Sequence, residues 1–542
     1  MANLAGKAML TNSHPEKSDT QLSFLIIGAG SRGNAYANAL GYSLKTFPTR
    51  IGAVAEPIES KRRAFQHKHI RPHEYVELFE TWQQFVDYEE GRRKRKDAGE
   101  HVPEGVDGVF VCTLDEMHVE IITALAPLGL HIMSEKPLAT TLSDCLKIYR
   151  SLQPPGTSTA QAIFSIGHVL RYSPHNMLLR KLLLEDDVIG DILSIEHTEP
   201  VGWWHFSHSY VRGNWRKEST TAPSLLTKSC HDIDLLLWLL CSSPISSNRP
   251  PHLPSHVNST GSLLYFKKSR KPAQAADATN CLSCAAESEC LYSAKKIYEE
   301  GHLAKGNGGW PINIVDSEIE DMMSNRGKGV PRQRLMERLA EDYDSSMSQT
   351  EVDRRPWFGR CVYESDNDVC DDQVVTIDWE DDPLPRKRDE SMESLIKGRG
   401  AKIATFHMVA PTEKQCERRG RVYGTQGEIK YDSKIIHVYD FATKQTRTHY
   451  PDQPGGGHGG GDVGLAQQFV KAIAAVKMKN MTVDQAQKAH IGCTLEEVIR
   501  SHAMVFAAEE SRKQRKVVDW AGWWDINVER AKHLSRLYNG SD

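Results

Sequence analysis

Short apolar runs alternate with amphipathic stretches over the first third of the chain. Ser23–Ile27, Ile51–Ala55, Gly108–Cys112, His131–Met133 and Ile163–Ile166 read as buried strands. Asn34–Leu40, Glu116–Ala126 and Leu142–Leu152, lying between them, carry helical spacing. This rhythm predicts a parallel sheet covered on both faces over residues 22–170. The basic run Gly91-Arg92-Arg93-Lys94-Arg95-Lys96 interrupts it and reads as a solvated surface loop.

After residue 170 the pattern changes. Helices are expected near His175–Glu185 and Lys228–Leu240, around a strand at Ile192–Thr198. Long strand-like stretches follow at Ser259–Phe266, Gln373–Trp379, Ile403–Val409, Arg419–Tyr431 and Ile435–Phe441, with Gly424-Thr425-Gln426-Gly427 as a hairpin turn. The expected fold class is α/β plus α+β: a Rossmann dinucleotide-binding domain at 22–170, then a domain at 171–542 built on a mainly antiparallel sheet. Residues 267–360, polar and Cys-bearing, read as an insertion, and amphipathic helices at Val463–Met478 and Val483–Lys516 close the chain. Residues 1–21 are polar and read as a disordered leader rather than a signal peptide.

The 542 residues carry 67 basic and 71 acidic side chains, a net charge of −4, so neither nucleic acid nor an anionic membrane is an expected partner. No apolar run approaches the ~18–20 residues of a membrane span. Eleven cysteines without an export signal point to free thiols and a cytosolic address.

Gly28-Ala29-Gly30-Ser31-Arg32-Gly33 follows the first strand and opens a helix. Its glycines suit a tight turn, close approach of a pyrophosphate and helix–strand packing, with the helix N-terminus facing the phosphates. Glu56, 23 residues past Gly33, stands where a carboxylate binds ribose hydroxyls and repels a 2′-phosphate, which favours NAD over NADP. Arg62 and Arg63 leave room for NADP.

Thr113, Leu114 and His118 follow the Gly108–Cys112 run, and Glu135-Lys136-Pro137 follows the next one. Both segments fall at the C-terminal ends of parallel strands, where open α/β sheets bind ligands. With Gly28, Gly30, Ser31, Arg32, Gly33 and Glu56, the residues Thr113, Leu114, His118, Glu135 and Lys136 make up the candidate cofactor site.

Together with Gly167-His168, Arg171-Tyr172-Ser173-Pro174, His231-Asp232-Ile233-Asp234 and the Gly424–Gly427 turn, these residues resemble the glucose-fructose oxidoreductase/inositol dehydrogenase/rhizopine catabolism (Gfo/Idh/MocA) family. The resemblance implies an open-faced C-terminal sheet, often an oligomer interface, and substrates that are sugars, inositols or their derivatives. The implied activity is hydride transfer between the nicotinamide and a carbinol or carbonyl carbon of a sugar, glycoside or cyclitol. In that family the catalytic helix usually carries Asp-x-Gly-x-His. Here the Asp position falls on Thr227 and the His position on His231, with Lys228 between them. His231 is the expected proton acceptor, Lys136 the group that orients the hydroxyl, and Lys228 a helper.

Trp203 to Arg216 is dense in rings and hydrogen-bonding groups, as a sugar site requires. Arg171, Tyr210, Arg212, Asn214 and His458 are the candidate substrate contacts. His458 lies in Gly455-Gly456-Gly457-His458-Gly459-Gly460-Gly461-Asp462, a run too costly in backbone entropy to serve packing alone. A similar run in NAD-dependent glycosidases related to the family sets the alternative activity: transient sugar oxidation, elimination and return of the hydride. A decayed, non-catalytic dinucleotide sensor is a third reading, motivated by Thr227.

Cys281-x2-Cys284-x5-Cys290 in the insertion offers three corners of a structural zinc site, with Cys361 as the fourth. The other reading is unligated, packed thiols.

Overall fold

The five apolar runs and one further short strand pair into one parallel sheet in the order β3-β2-β1-β4-β5-β6. Its strands are β1 (Leu22–Ile27), β2 (Thr49–Ala55), β3 (Glu77–Phe79), β4 (Gly108–Val111), β5 (His131–Ser134) and β6 (Phe164–Ile166). β1, β4 and β6 are buried along their whole length because helices cover both faces, so no polar alternation survives in the sequence. The strand order reverses direction beside β1, the crevice where doubly wound sheets bind ligands. This computed structural model describes residues 21–43, 47–72, 74–154, 160–242, 249–325, 329–385, 391–455 and 457–533. The expected leader lies outside them except for Gln21.

The helices of this half are α1 (Ser31–Ser43), α2 (Glu59–His69), α3 (Trp82–Asp97), α4 (His118–Leu125) and α5 (Leu142–Leu152). The basic run expected as a loop is instead the end of α3. Glu89 takes bonds from both Arg92 and Arg93, and the cations of the last turn complement the helix dipole.

The second sheet has nine strands in the order β14-β13-β12-β11-β7-β10-β9-β8-β15. They are β7 (Ile192–Pro200), β8 (His256–Ser262), β9 (Asp372–Trp379), β10 (Lys402–Val409), β11 (Arg419–Gly424), β12 (Gly427–Tyr431), β13 (Ile436–Asp440), β14 (Gln445–His449) and β15 (Val518–Asp519). Only β7 and β10 run parallel; every other pair is antiparallel. Burial alternates along β9, so one face is covered and the other open. β8 stops at Ser262, because the Asp371 carboxylate takes the next free amides, those of Leu264 and Tyr265, at 2.7 and 2.8 Å.

Helix α6 (Pro174–Leu184) links the two halves. Near the C-terminus one helix spans Gly461–Lys479. The single helix expected at 483–516 is divided: Gly492 at φ +62° ends the first part, and a capping box at Thr494 and Glu497 starts Leu495–Gln514. The 267–360 region has its own apolar cluster, including Ile297, Tyr298, Ile312, Ile319, Leu335, Leu339 and Phe358. Among the described residues, no helix is long and apolar enough to cross a membrane.

Candidate functional site

The turn between β1 and α1 allows no side chain at two of its glycines. A Cβ on Gly28, which has φ +91°, would stand 2.5 Å from the Cys112 carbonyl oxygen, and one on Gly33 would stand 2.1 Å from that of Gly28. A Cβ on Gly30 would meet nothing within 4 Å, so Gly30 borders open space at the start of α1. That is the cradle a diphosphate requires: a small residue beside a helix N-terminus. Glu56, at the end of β2, accepts from Ala29 N at 2.8 Å and Ile58 N at 3.0 Å, and Arg62 donates to its carbonyl. Arg63 pairs with Glu59 at the surface.

Arg32 crosses from α1 to the other strands. It bonds Glu135 at 2.6 Å, Asp462 at 2.7 Å and the Tyr36 hydroxyl at 2.7 Å; Tyr36 in turn donates to Glu135 at 2.5 Å. Ser31 is the first residue of α1. Past β4, the buried Thr113 hydroxyl has no partner and the Leu114 side chain is exposed. His118 bonds the Pro137 carbonyl at 2.8 Å through Nδ1, while its Nε2 is buried without a partner.

Lys136 Nζ donates to the Thr227 carbonyl at 2.6 Å and lies 6.0 Å from the centre of the Trp215 ring. Thr227 thus supplies a backbone oxygen where the family pattern has a carboxylate. Trp215 is fixed by Asp115 at 2.8 Å, and Tyr210 stacks on it.

Beside this lies a buried, charge-balanced quartet, two members of which, Glu199 and Arg418, sequence reasoning missed. Arg418 bonds Asp232 at 2.5 Å and forms an ion pair with Glu199 at 3.2 Å, and Lys228 pairs with Glu199 at 3.1 Å. Two carboxylates therefore face two cations. Arg418 also reaches His231 Nε2 at 2.7 Å. A guanidinium only donates, so Nε2 accepts and the ring proton sits on Nδ1, which is buried without a partner. Burial pushes His231 well below the ordinary imidazole value, helped by Arg418 and Lys136. Lys228 is held above the ordinary lysine range: burial works against its charge, but Cys416 and Glu199 outweigh it. It is locked as a cation. Burial opposes ionisation of Asp232, yet Arg418 keeps its carboxyl well below the usual range.

His458, at φ +54° in the glycine run, bonds Asp462 at 3.3 Å and stands edge-on to His231 with ring centres 5.7 Å apart. Lys136, His231, Lys228, Tyr210, Trp215 and His458 are thus gathered near the ends of β4 and β5. Arg171 is not among them. It makes a bidentate pair with Asp234 at 2.7 and 2.8 Å and bonds Glu497, tying the helix Cys230–Leu240 to Leu495–Gln514. Arg212 is also elsewhere, bonded to the Arg360 and Tyr292 carbonyls in the insertion. The Asn214 amide nitrogen is buried without a partner.

A doubly wound sheet with this glycine turn at its crevice defines a Rossmann-type dinucleotide-binding fold. Residues 22–158 match the model described as "Oxidoreductase family, NAD-binding Rossmann fold", and residues 181–249 match that of the same family's "C-terminal alpha/beta domain". The N-terminal and C-terminal domains of the Gfo/Idh/MocA family are therefore both matched in this chain, in the order the family has them. It is 30% identical over 139 residues to the 2,7-anhydro-N-acetylneuraminate hydratase of Escherichia coli (strain K12), covering 26% of this chain and 35% of that one. It is 31% identical over 136 residues to inositol 2-dehydrogenase 2 of Saccharopolyspora erythraea, covering 25% and 35%. The matches span about a third of these relatives' length. A levoglucosan dehydrogenase solved with NADH and levoglucosan shares the fold, with a TM-score of 0.55 and 15% identity over 92% of this chain and 99% of that one.

Proposed function

We propose that the chain is an NAD(P)-dependent dehydrogenase acting on a carbinol or carbonyl carbon of a sugar, glycoside or cyclitol. The observation that carries this is that Lys136 and His231, close enough for the ammonium to lower the imidazole, each keep an N–H not spent on the protein. An ammonium has three donors, and Thr227 takes one. The site takes the coenzyme's pyrophosphate at Gly28, Gly30, Ser31 and Gly33, and its ribose at Glu56, which favours NAD. Thr113, Leu114, His118 and Glu135 border the nicotinamide side. When bound, the coenzyme supplies or accepts the hydride.

The residues divide the remaining work. Lys136 hydrogen-bonds the substrate oxygen, stabilises negative charge on it and exchanges its proton. His231 presents Nδ1–H to the same oxygen, because Arg418 holds its lone pair. This exchanges the roles expected from sequence, where His231 was the acceptor. Lys228 positions Glu199 and stays charged. Trp215 offers a ring face to the apolar side of a sugar, backed by Tyr210, which is buried and stacked on both Phe206 and Trp215, with Asn214 and His458 at its polar edge. The same reading includes a homo-oligomer joined through the open face of the nine-stranded sheet.

A second reading, sugar oxidation followed by elimination and hydride return, is favoured by the relative that bears the name of a hydratase. Incubation with NAD and panels of free sugars, cyclitols and nitrophenyl glycosides separates the two. NADH accumulation supports the dehydrogenase; nitrophenol release without net NADH supports the second reading. Neither signal with any panel member sinks both.

A further inference from the structure

The 267–360 insertion holds two side-chain clusters. Cys281, Cys284, Cys290 and Cys361 line one cavity of about 20 Å³ with Arg212 and Glu287, and among the described residues their sulfurs form no group of three close enough to share a metal ion. The other cluster is a set of rings. Trp310 packs against Trp204 and His205, with ring centres 5.0 Å away in both cases, and stands edge-on to His208 at 5.7 Å. His302 lies 4.8 Å from Trp204. Trp204, His205, His302 and Trp310 are all partly exposed, whereas His208 is buried.

These rings are continuous with the candidate catalytic residues. His205 Nδ1 is 3.6 Å from the Cys416 sulfur, to which Lys228 donates at 2.9 Å. Burial holds His205 well below the ordinary imidazole value, and the charges of Lys228 and Lys136 add to the effect, so both ammonium groups lie within reach of the ring. Phe206, the next residue, stacks on Tyr210, and Tyr210 on Trp215, which lies beside Lys136. One aromatic wall therefore runs from Lys136 to Trp310.

The far end of that wall carries a fixed donor. Asn307 donates to His302 Nδ1 at 3.1 Å, so that nitrogen accepts and the ring proton sits on Nε2. The same amide donates to the Trp310 carbonyl at 3.0 Å, and its oxygen accepts from Gly309 N at 3.0 Å. The loop is thus ordered by its own bonds, and an ordered wall loses little entropy on binding. Indole faces beside a hydrogen-bond donor match a sugar ring, which is apolar on its C–H face and polar at its edge.

We propose that Trp204, His302 and Trp310 form a second sugar subsite, so that the substrate is a disaccharide or longer glycoside with one ring at Lys136 and the next on the insertion. The proposal rests on the proposed function for the class of ligand, and not on which reaction follows.

The test is calorimetric titration of the full-length chain, with and without NADH, against a panel of disaccharides and their component monosaccharides. At least one disaccharide should bind about tenfold or more tightly than either component. Trp310→Ala should abolish that advantage and Trp310→Phe should keep most of it. His302→Ala, which leaves both indoles in place, should reduce it, and NADH affinity reports that the variants are folded. No disaccharide bound more tightly than its components, or an advantage that survives Trp310→Ala, would overturn the proposal. So would an advantage confined to nitrophenyl glycosides, because the occupant would then be a flat aglycone rather than a sugar. A disaccharide advantage without NADH formation from any sugar would contradict the dehydrogenase and leave the subsite standing.

Discussion

Arg418 Nη2 lies 2.7 Å from His231 Nε2, on a residue 187 positions later in the chain. This single bond fixes the tautomer of the histidine and couples it to Asp232 and Glu199. Arg418→Ala leaves Lys228, paired with Glu199, as the quartet's remaining cation, and leaves Asp232 with the His197 ring at 3.0 Å. The expected loss of stability is about 3–5 kcal/mol, read from urea unfolding, because one partner of a buried ion pair is removed. A loss of less than about 1 kcal/mol, typical of an indifferent surface site, would show that the quartet is not coupled in this way.

Lys136→Met removes the ammonium at the Thr227 carbonyl without creating a charge. Turnover on the best substrate of the panel should fall by about 10²–10⁴-fold, the usual size of a general acid–base contribution. NADH affinity should stay within a few-fold of wild type. Unchanged turnover would remove Lys136 from the proton transfer.

Several buried histidines set the response to acid. Burial lowers His208 and His502 to about 3, and His131 to about 4. In the unfolded chain they titrate near 6.5. As pH falls below about 6.5, the unfolded state takes up protons that the folded state refuses, so stability falls until the folded pKa values are reached. Each such group contributes at most about 1.4 kcal/mol per pH unit. Urea midpoints should be lower at pH 5.5 than at pH 7.5. An equal or higher midpoint at pH 5.5 would contradict this assignment.

Glu56→Ser removes the carboxylate expected at the ribose. The affinity ratio of NADPH to NADH should rise at least about tenfold, or about 1.4 kcal/mol. Because Glu56 also accepts from Ala29 N, NADH itself should bind more weakly. A ratio identical to wild type would mean that the ribose lies elsewhere.

The Rossmann half was legible in sequence because its strands are apolar throughout and its glycine turn follows the first of them. β3 was not, being three residues long and only partly buried. β14 is exposed along nearly all of its length and carries no apolar face to read. α3 was missed because its basic end reads as a loop until Glu89 is seen to neutralise it. The site was half legible. Lys136 and His231 sit in recognisable local patterns, whereas Glu199, Cys416 and Arg418 lie in strands and loops whose partners are far away in sequence. Arg171 looked like a ligand group only because its partner, Asp234, is 63 residues distant.

NADH titration of Gly30→Val by fluorescence tests most directly whether the diphosphate of the coenzyme rests against Gly30. A Cβ at Gly30 meets nothing in the protein, so the variant should match the wild type in melting temperature. Gly33→Ala, whose Cβ would meet backbone at 2.1 Å, should be destabilised. NADH binding by Gly30→Val should weaken at least about tenfold. Wild-type affinity for NADH in a folded Gly30→Val chain would contradict the account.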